Sequence, residues 1–109
     1  MIPQLRPAEV KTARDAASAD APIVLLDVRE LPELALSSLP GVTHIPMGAI
    51  PRRIDELDPD AAVVVMCHHG VRSMRVALFL KQQGFSDVSN LRGGIDAWSL
   101  ELDPSVPRY

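Results

Sequence analysis

Two short, almost wholly apolar runs constrain this 109-residue chain more than any other feature: Ile23-Val24-Leu25-Leu26-Asp27-Val28 and Ala62-Val63-Val64-Val65-Met66. A strand with one wet face alternates apolar and polar residues. A run without alternation has to be covered on both faces, as in a parallel sheet sandwiched by helices. The segments around these runs carry helix and turn signals. Pro7 suits the first turn of a helix, and Ala8, Val10, Ala13, Ala16 and Ala17 give that helix a weak apolar face. Pro32 opens a short helix over Glu33 to Leu36, Pro40-Gly41 marks a turn, and Val42 to Ile45 forms a short strand. A helix is expected from Ile50 to Leu57, stopped by Asp58-Pro59. Met74, Val76, Ala77, Leu78 and Leu80 predict a helix over Ser73 to Gln83, with Gly84 placed to end it. Asp87 to Leu91 reads as a strand, Gly93-Gly94 as a turn and Ile95 to Leu100 as a last short helix. Strands alternating with helices predict an α/β fold with a mainly parallel sheet. Residues 103–109 cannot continue a helix and are predicted as an extended tail, laid on the body through Val106 and Tyr109.

Length and composition narrow the classes. The chain is expected to form a single domain over residues 1–109. Its net charge of -3 and the lack of a clustered basic face argue against nucleic acid as a partner. No apolar stretch approaches the ~18 residues of a membrane span. The first residues lack the basic start and apolar run of a secretory signal. The expectation is a cytoplasmic protein whose one cysteine, Cys67, stays reduced. With one cysteine there is no internal disulfide and no dithiol chemistry.

The informative segment is Cys67-His68-His69-Gly70-Val71-Arg72-Ser73, between the clearest strand and the clearest helix. In open α/β sheets, ligands gather at the carboxyl ends of strands. A loop leading from there into a helix directs backbone N–H groups toward one point, and Gly70 lets it curl tightly. If it curls around the Cys67 side chain, its amides face the sulfur and depress the thiol pKa. A helix dipole supplies about 0.3–1 kcal/mol of such an effect. Each hydrogen bond to a charged sulfur supplies about 1.5–3 kcal/mol, so the loop amides matter more.

These residues resemble the active-site loop of rhodanese-like sulfurtransferases. The resemblance extends along the chain. Leu26-Asp27-Val28-Arg29-Glu30 is similar to that family's D-V-R-E strand end. Leu39-Pro40-Gly41 followed by Ile45-Pro46 is similar to its I-P-G-A-x-x-I-P segment. Gly84-Phe85, Val88, Leu91-Arg92-Gly93-Gly94-Ile95 and Ala97-Trp98 resemble its ending. Where many members carry a His before the Ile-Pro-Gly, this chain has Ser38 followed by Leu39. The resemblance implies a five-stranded, mainly parallel sheet with helices on both faces. It also implies sulfur transfer in two steps through a persulfide on Cys67, the catalytic residue. The implied partners are a small-molecule sulfur donor, thiosulfate or a persulfide, and a protein or small-thiol acceptor. No cofactor and no metal are expected.

Roles for the remaining loop residues stay open in part. Arg72 can fork onto an anionic donor, or be a surface arginine in a first helical turn. His68 and His69 can add positive charge or shape the pocket; contribution of main-chain N–H groups alone fits a tight turn best. A Cys-His-His metal site is disfavoured, because neighbours in a tight turn rarely converge on one ion. Ser73 can hydrogen-bond the sulfur, cap the helix, or do both. Gly70 and Val71 complete the loop. Asp27 and Arg29 are expected as a structural ion pair, Trp98 as a packing residue and His44 as a strand residue without chemistry. The enzymatic rival is a phosphatase or arsenate reductase, whose loops put one more residue between Cys and Arg than the four, His68 to Val71, found here. The other rival is a non-catalytic binding module of the same fold, a reading that the presence of Cys67 disfavours.

Overall fold

The computed structural model describes all 109 residues. Five strands form one sheet in the order β1-β5-β4-β2-β3, every pairing parallel. They are β1 (Gln4–Leu5), β2 (Ile23–Asp27), β3 (Thr43–His44), β4 (Ala62–Met66) and β5 (Asp87–Leu91). The helices are α1 (Pro7–Asp15), α2 (Leu31–Leu36), α3 (Ile50–Arg53), α4 (Val71–Gln82) and α5 (Gly94–Glu101).

The apolar runs become the middle of the sheet because both of their faces are covered. Leu26, Val63, Val65, Cys67 and Val88 point to one side, where Ile50 of α3 and Val76, Ala77 and Leu80 of α4 pack on them. Leu25, Val64, Met66 and Leu91 point to the other, against Val10 of α1 and Ile95 and Trp98 of α5. Strand residues alternate sides, so a run without polar interruptions feeds two cores. Each fully buried aliphatic side chain contributes about 1.5–3 kcal/mol. Trp98 is buried in the second core, as a packing residue should be.

Three segments differ from the sequence expectation. Strand β1 carries no sequence signal: two residues are too few to show a period, and Pro7 follows closely. It pairs with β5 as Gln4 with Asn90 and Leu5 with Leu91. The helix expected over Ile50 to Leu57 is broken into a 3-10 turn at Met47–Ala49, the single turn α3, and another 3-10 turn at Ile54–Glu56. Pro51 sits in its first turn, and the extended backbone of Leu57 stops it. The C-terminal tail is not extended throughout. It turns at Asp103, whose carbonyl accepts the Val106 N–H at 3.1 Å, and Ser99 Oγ donates to the Val106 carbonyl at 2.6 Å. This turn seats Val106 in the second core and aims Tyr109 back across the sheet's carboxyl end.

Candidate active site

β4 ends at Met66 and α4 begins at Val71, so the loop between them leaves the carboxyl edge of the central strand. Cys67 is 1% exposed. One flank of its side chain belongs to the core beneath α4. The other receives main-chain donors: the Gly70 N–H lies 3.1 Å from Sγ and the Ser73 N–H 3.4 Å. The thiol lies 3.3 Å from Ser73 Oγ, to which it can donate. Burial pushes the Cys67 thiol up. The hydrogen bond with the Ser73 hydroxyl and those from the Ser73, Gly70 and His69 main chain outweigh it, and the net direction is down.

The loop holds this curl for two local reasons. Gly70 sits at φ 99°, in the left-handed region that only glycine enters freely, and it is the cap residue just before α4. On the outside, the carbonyls of Cys67 and His68 accept the N–H groups of Ile95 at 2.9 Å and Asp96 at 3.2 Å, from the first turn of α5. A peptide whose C=O points outward points its N–H inward. The close approach requires Gly94, where a Cβ would overlap both of those carbonyls. The Gly93-Gly94 pair therefore does more than turn the chain: it lets α5 clasp the back of the loop.

Ser73 is the third residue of α4, and its hydroxyl faces the sulfur instead of capping; the cap position is Gly70. Its hydroxyl in turn donates to Asn90 Oδ1. Asn90 is fixed through its amide nitrogen, which donates to the Gly70 carbonyl at 3.1 Å and to Gln4 Oε1 at 3.0 Å. Asn90 was not singled out in the sequence, although a polar residue inside a buried strand is a signal in itself.

The side chains of His68 and His69 lie outside the cradle. Their rings stack with centroids 3.9 Å apart, and the Tyr109 ring covers His68 at 3.8 Å, 7° from parallel. Cys67 is not brought to the imidazoles as a metal set. His68, His69 and Asp96 offer ligand-type atoms within 4.8 Å of one another, but Asp96 is engaged by Arg108 at 2.9 Å. Val71 is 66% exposed at the rim of the loop.

Arg72 is held by Glu33, Nη1 to Oε2 at 2.7 Å and Nη2 to Oε1 at 2.8 Å. Asp27 and Arg29 form a fully buried pair, Nη2 to Oδ2 at 2.7 Å, with Nε also on the carboxylate at 3.0 Å. Burial pulls the Arg29 guanidinium down, but hydrogen bonds to Asp27 and Tyr109 raise it above its ordinary value. Arg29 Nη1 donates to the Tyr109 hydroxyl at 3.0 Å, and His44 Nε2 hydrogen-bonds the Arg29 carbonyl at 2.7 Å. His44 thus braces the strand end. Glu33 and Tyr109 were not read from the sequence as site residues, since their partners come from distant parts of the chain.

A parallel α/β sheet whose central strand ends in a cysteine cradled by main-chain donors defines a class of protein. The comparisons place this chain within that class. Residues 7–101 match the family model described as a rhodanese-like domain. YtwF of Bacillus subtilis (strain 168) is 42% identical over 98 residues, covering 88% of this chain and 94% of its own length. The thiosulfate sulfurtransferase GlpE of Pseudomonas fluorescens (strain SBW25) is 40% identical over 75 residues, 69% of each chain. The crystal structure of a rhodanese-like domain protein from Staphylococcus aureus superposes with a TM-score of 0.81 at 28% identity, over 99% of both chains. The chain belongs to the rhodanese-like domain family.

Proposed function

We propose that this protein is a rhodanese-type sulfurtransferase that carries sulfane sulfur as a persulfide on Cys67. The observation that supports it most is the convergence of the Gly70 and Ser73 N–H groups on one sulfur. These donors favour the thiolate, the form that attacks. With thiosulfate as donor, the Cys67 thiolate bonds to the sulfane sulfur. The sulfur–sulfur bond of thiosulfate breaks, and sulfite leaves with the electron pair. The product persulfide is again an anion. The N–H groups of Val71 and Arg72, in the first turn of α4, have no helical partner and are available to its terminal sulfur. A nucleophile such as cyanide or a thiolate then bonds to that terminal sulfur, the Sγ–S bond breaks, and the thiolate returns. Arg72, whose fork is on Glu33, meets the anionic donor through the N–H groups that this pair leaves unused. Sulfurtransferase relatives at about 40% identity favour the same reading.

The test is intact mass after incubation with thiosulfate. The expected result is one added sulfur atom, removed by a reductant, and absent in Cys67→Ala together with thiosulfate:cyanide turnover. Turnover retained in that variant would take Cys67 out of the reaction. Hydrolysis of an aryl phosphate without sulfur transfer would favour the phosphatase alternative.

A further inference from the structure

Glu33 accepts hydrogen bonds from four donors. Its Oε2 takes Arg72 Nη1 at 2.7 Å and the Glu30 N–H at 2.9 Å; its Oε1 takes Arg72 Nη2 and the Tyr109 hydroxyl, each at 2.8 Å. A carboxylate saturated in this way stays ionised, and Arg72 above all holds its pKa at about 2. Tyr109 is itself fixed by Arg29 Nη1 and by its stack on His68. Both terminal nitrogens of Arg72 are therefore committed to a braced acceptor, not to a loose surface ion pair. Arg72 is the only Lys or Arg in the loop from Cys67 to Ser73. It adjoins Ser73, whose N–H touches Sγ, and the thiolate contributes to holding it charged.

Building on the sulfurtransferase reading above, we propose that Glu33, seated by Tyr109, is a specificity-determining residue that offsets the charge of Arg72 and so disfavours doubly charged sulfur donors relative to singly charged ones. With the pair intact, Arg72 and Glu33 together carry no net charge. A donor can still reach the unused N–H groups of the guanidinium, which has five in all. Its own charge gains no net cation in return for the water it sheds, and that deficit grows steeply with the charge it carries.

Two donors separate charge from chemistry: thiosulfate, a dianion, and methanethiosulfonate, a monoanion. In each the Cys67 thiolate bonds to the sulfane sulfur, and the bond from that sulfur to the oxidised sulfur breaks. Sulfite leaves in the first case and methanesulfinate in the second, each with the bonding electron pair. The readout is kcat/KM for thiosulfate divided by kcat/KM for methanethiosulfonate, with cyanide as acceptor.

Glu33→Gln keeps the size and an acceptor oxygen but removes the charge, and it should raise this ratio about fivefold or more. Arg72→Ala, which leaves Glu33 uncompensated, should lower it. The double variant should return to within about twofold of the parent, since both charges are gone. Tyr109→Phe, which removes one hydroxyl and keeps the stack, should raise the ratio less than Glu33→Gln does. Turnover of methanethiosulfonate reports in each variant that the loop is folded. A ratio unchanged or lowered in Glu33→Gln, with methanethiosulfonate still turned over, overturns the inference and leaves the sulfurtransferase reading standing. A parent protein that gains no sulfur from either donor overturns both.

Discussion

At the scale of residues, the sulfur is governed by a balance between burial and donation. Burial alone would make Cys67 a poorer acid; the donors reverse the sign. Alkylation of Cys67 should accordingly show a pH midpoint below the ~8.5 of a free thiol. The linkage has a definite sign. A thiol whose folded pKa is depressed adds stability in full above the unfolded value, and that addition is lost as pH falls through the folded value. Ser73→Ala removes the hydroxyl that hydrogen-bonds the sulfur and leaves the two main-chain N–H groups. Its alkylation midpoint should move up, because the hydrogen bond with the Ser73 hydroxyl is among the interactions that hold the thiol down. An unmoved midpoint would leave stabilisation to the main chain alone. The loop residues were legible because strand, glycine and helix follow one another in the sequence. Glu33 was not, because its partner Arg72 lies 39 positions away and only the topology brings them together.

At the scale of elements, the site depends on how α5 meets the loop. The first turn of a helix has N–H groups without helical partners, and here two of them, from Ile95 and Asp96, bind the loop's carbonyls. Gly94→Ala puts a methyl group into those carbonyls at φ 63°. Strain of this kind costs about 1–3 kcal/mol or more, and the loop must shift to relieve it. The expected outcome is a lower Tm together with a greater loss of persulfide formation than stability explains; a variant with parental loading would detach α5 from the site. The sequence showed Gly93-Gly94 as a turn but not what the second glycine approaches. That approach is a packing distance, and no local pattern encodes it. The strands β2, β4 and β5 were readable from their composition, whereas β1 had too few residues to show a pattern.

At the scale of the whole molecule, both faces of the sheet are covered, so stability should be most sensitive where α4 meets the middle strands. Leu80 is fully buried there. Leu80→Ala should lower the urea-derived unfolding free energy by about 2–5 kcal/mol, and a smaller loss would mean that the core closes over the gap. The tail shows what reading by segments misses. Tyr109 rests on the body as expected, and there it meets Arg29 and Glu33 from one stretch of chain and His68 from another. The outermost strands of the sheet, β1 and β3, are two residues long. Short margins of that kind leave few unpaired main-chain groups to template an incoming strand. Growth of the native sheet by strand addition is thereby discouraged, and a partner has to recognise side chains instead of extending the ladder.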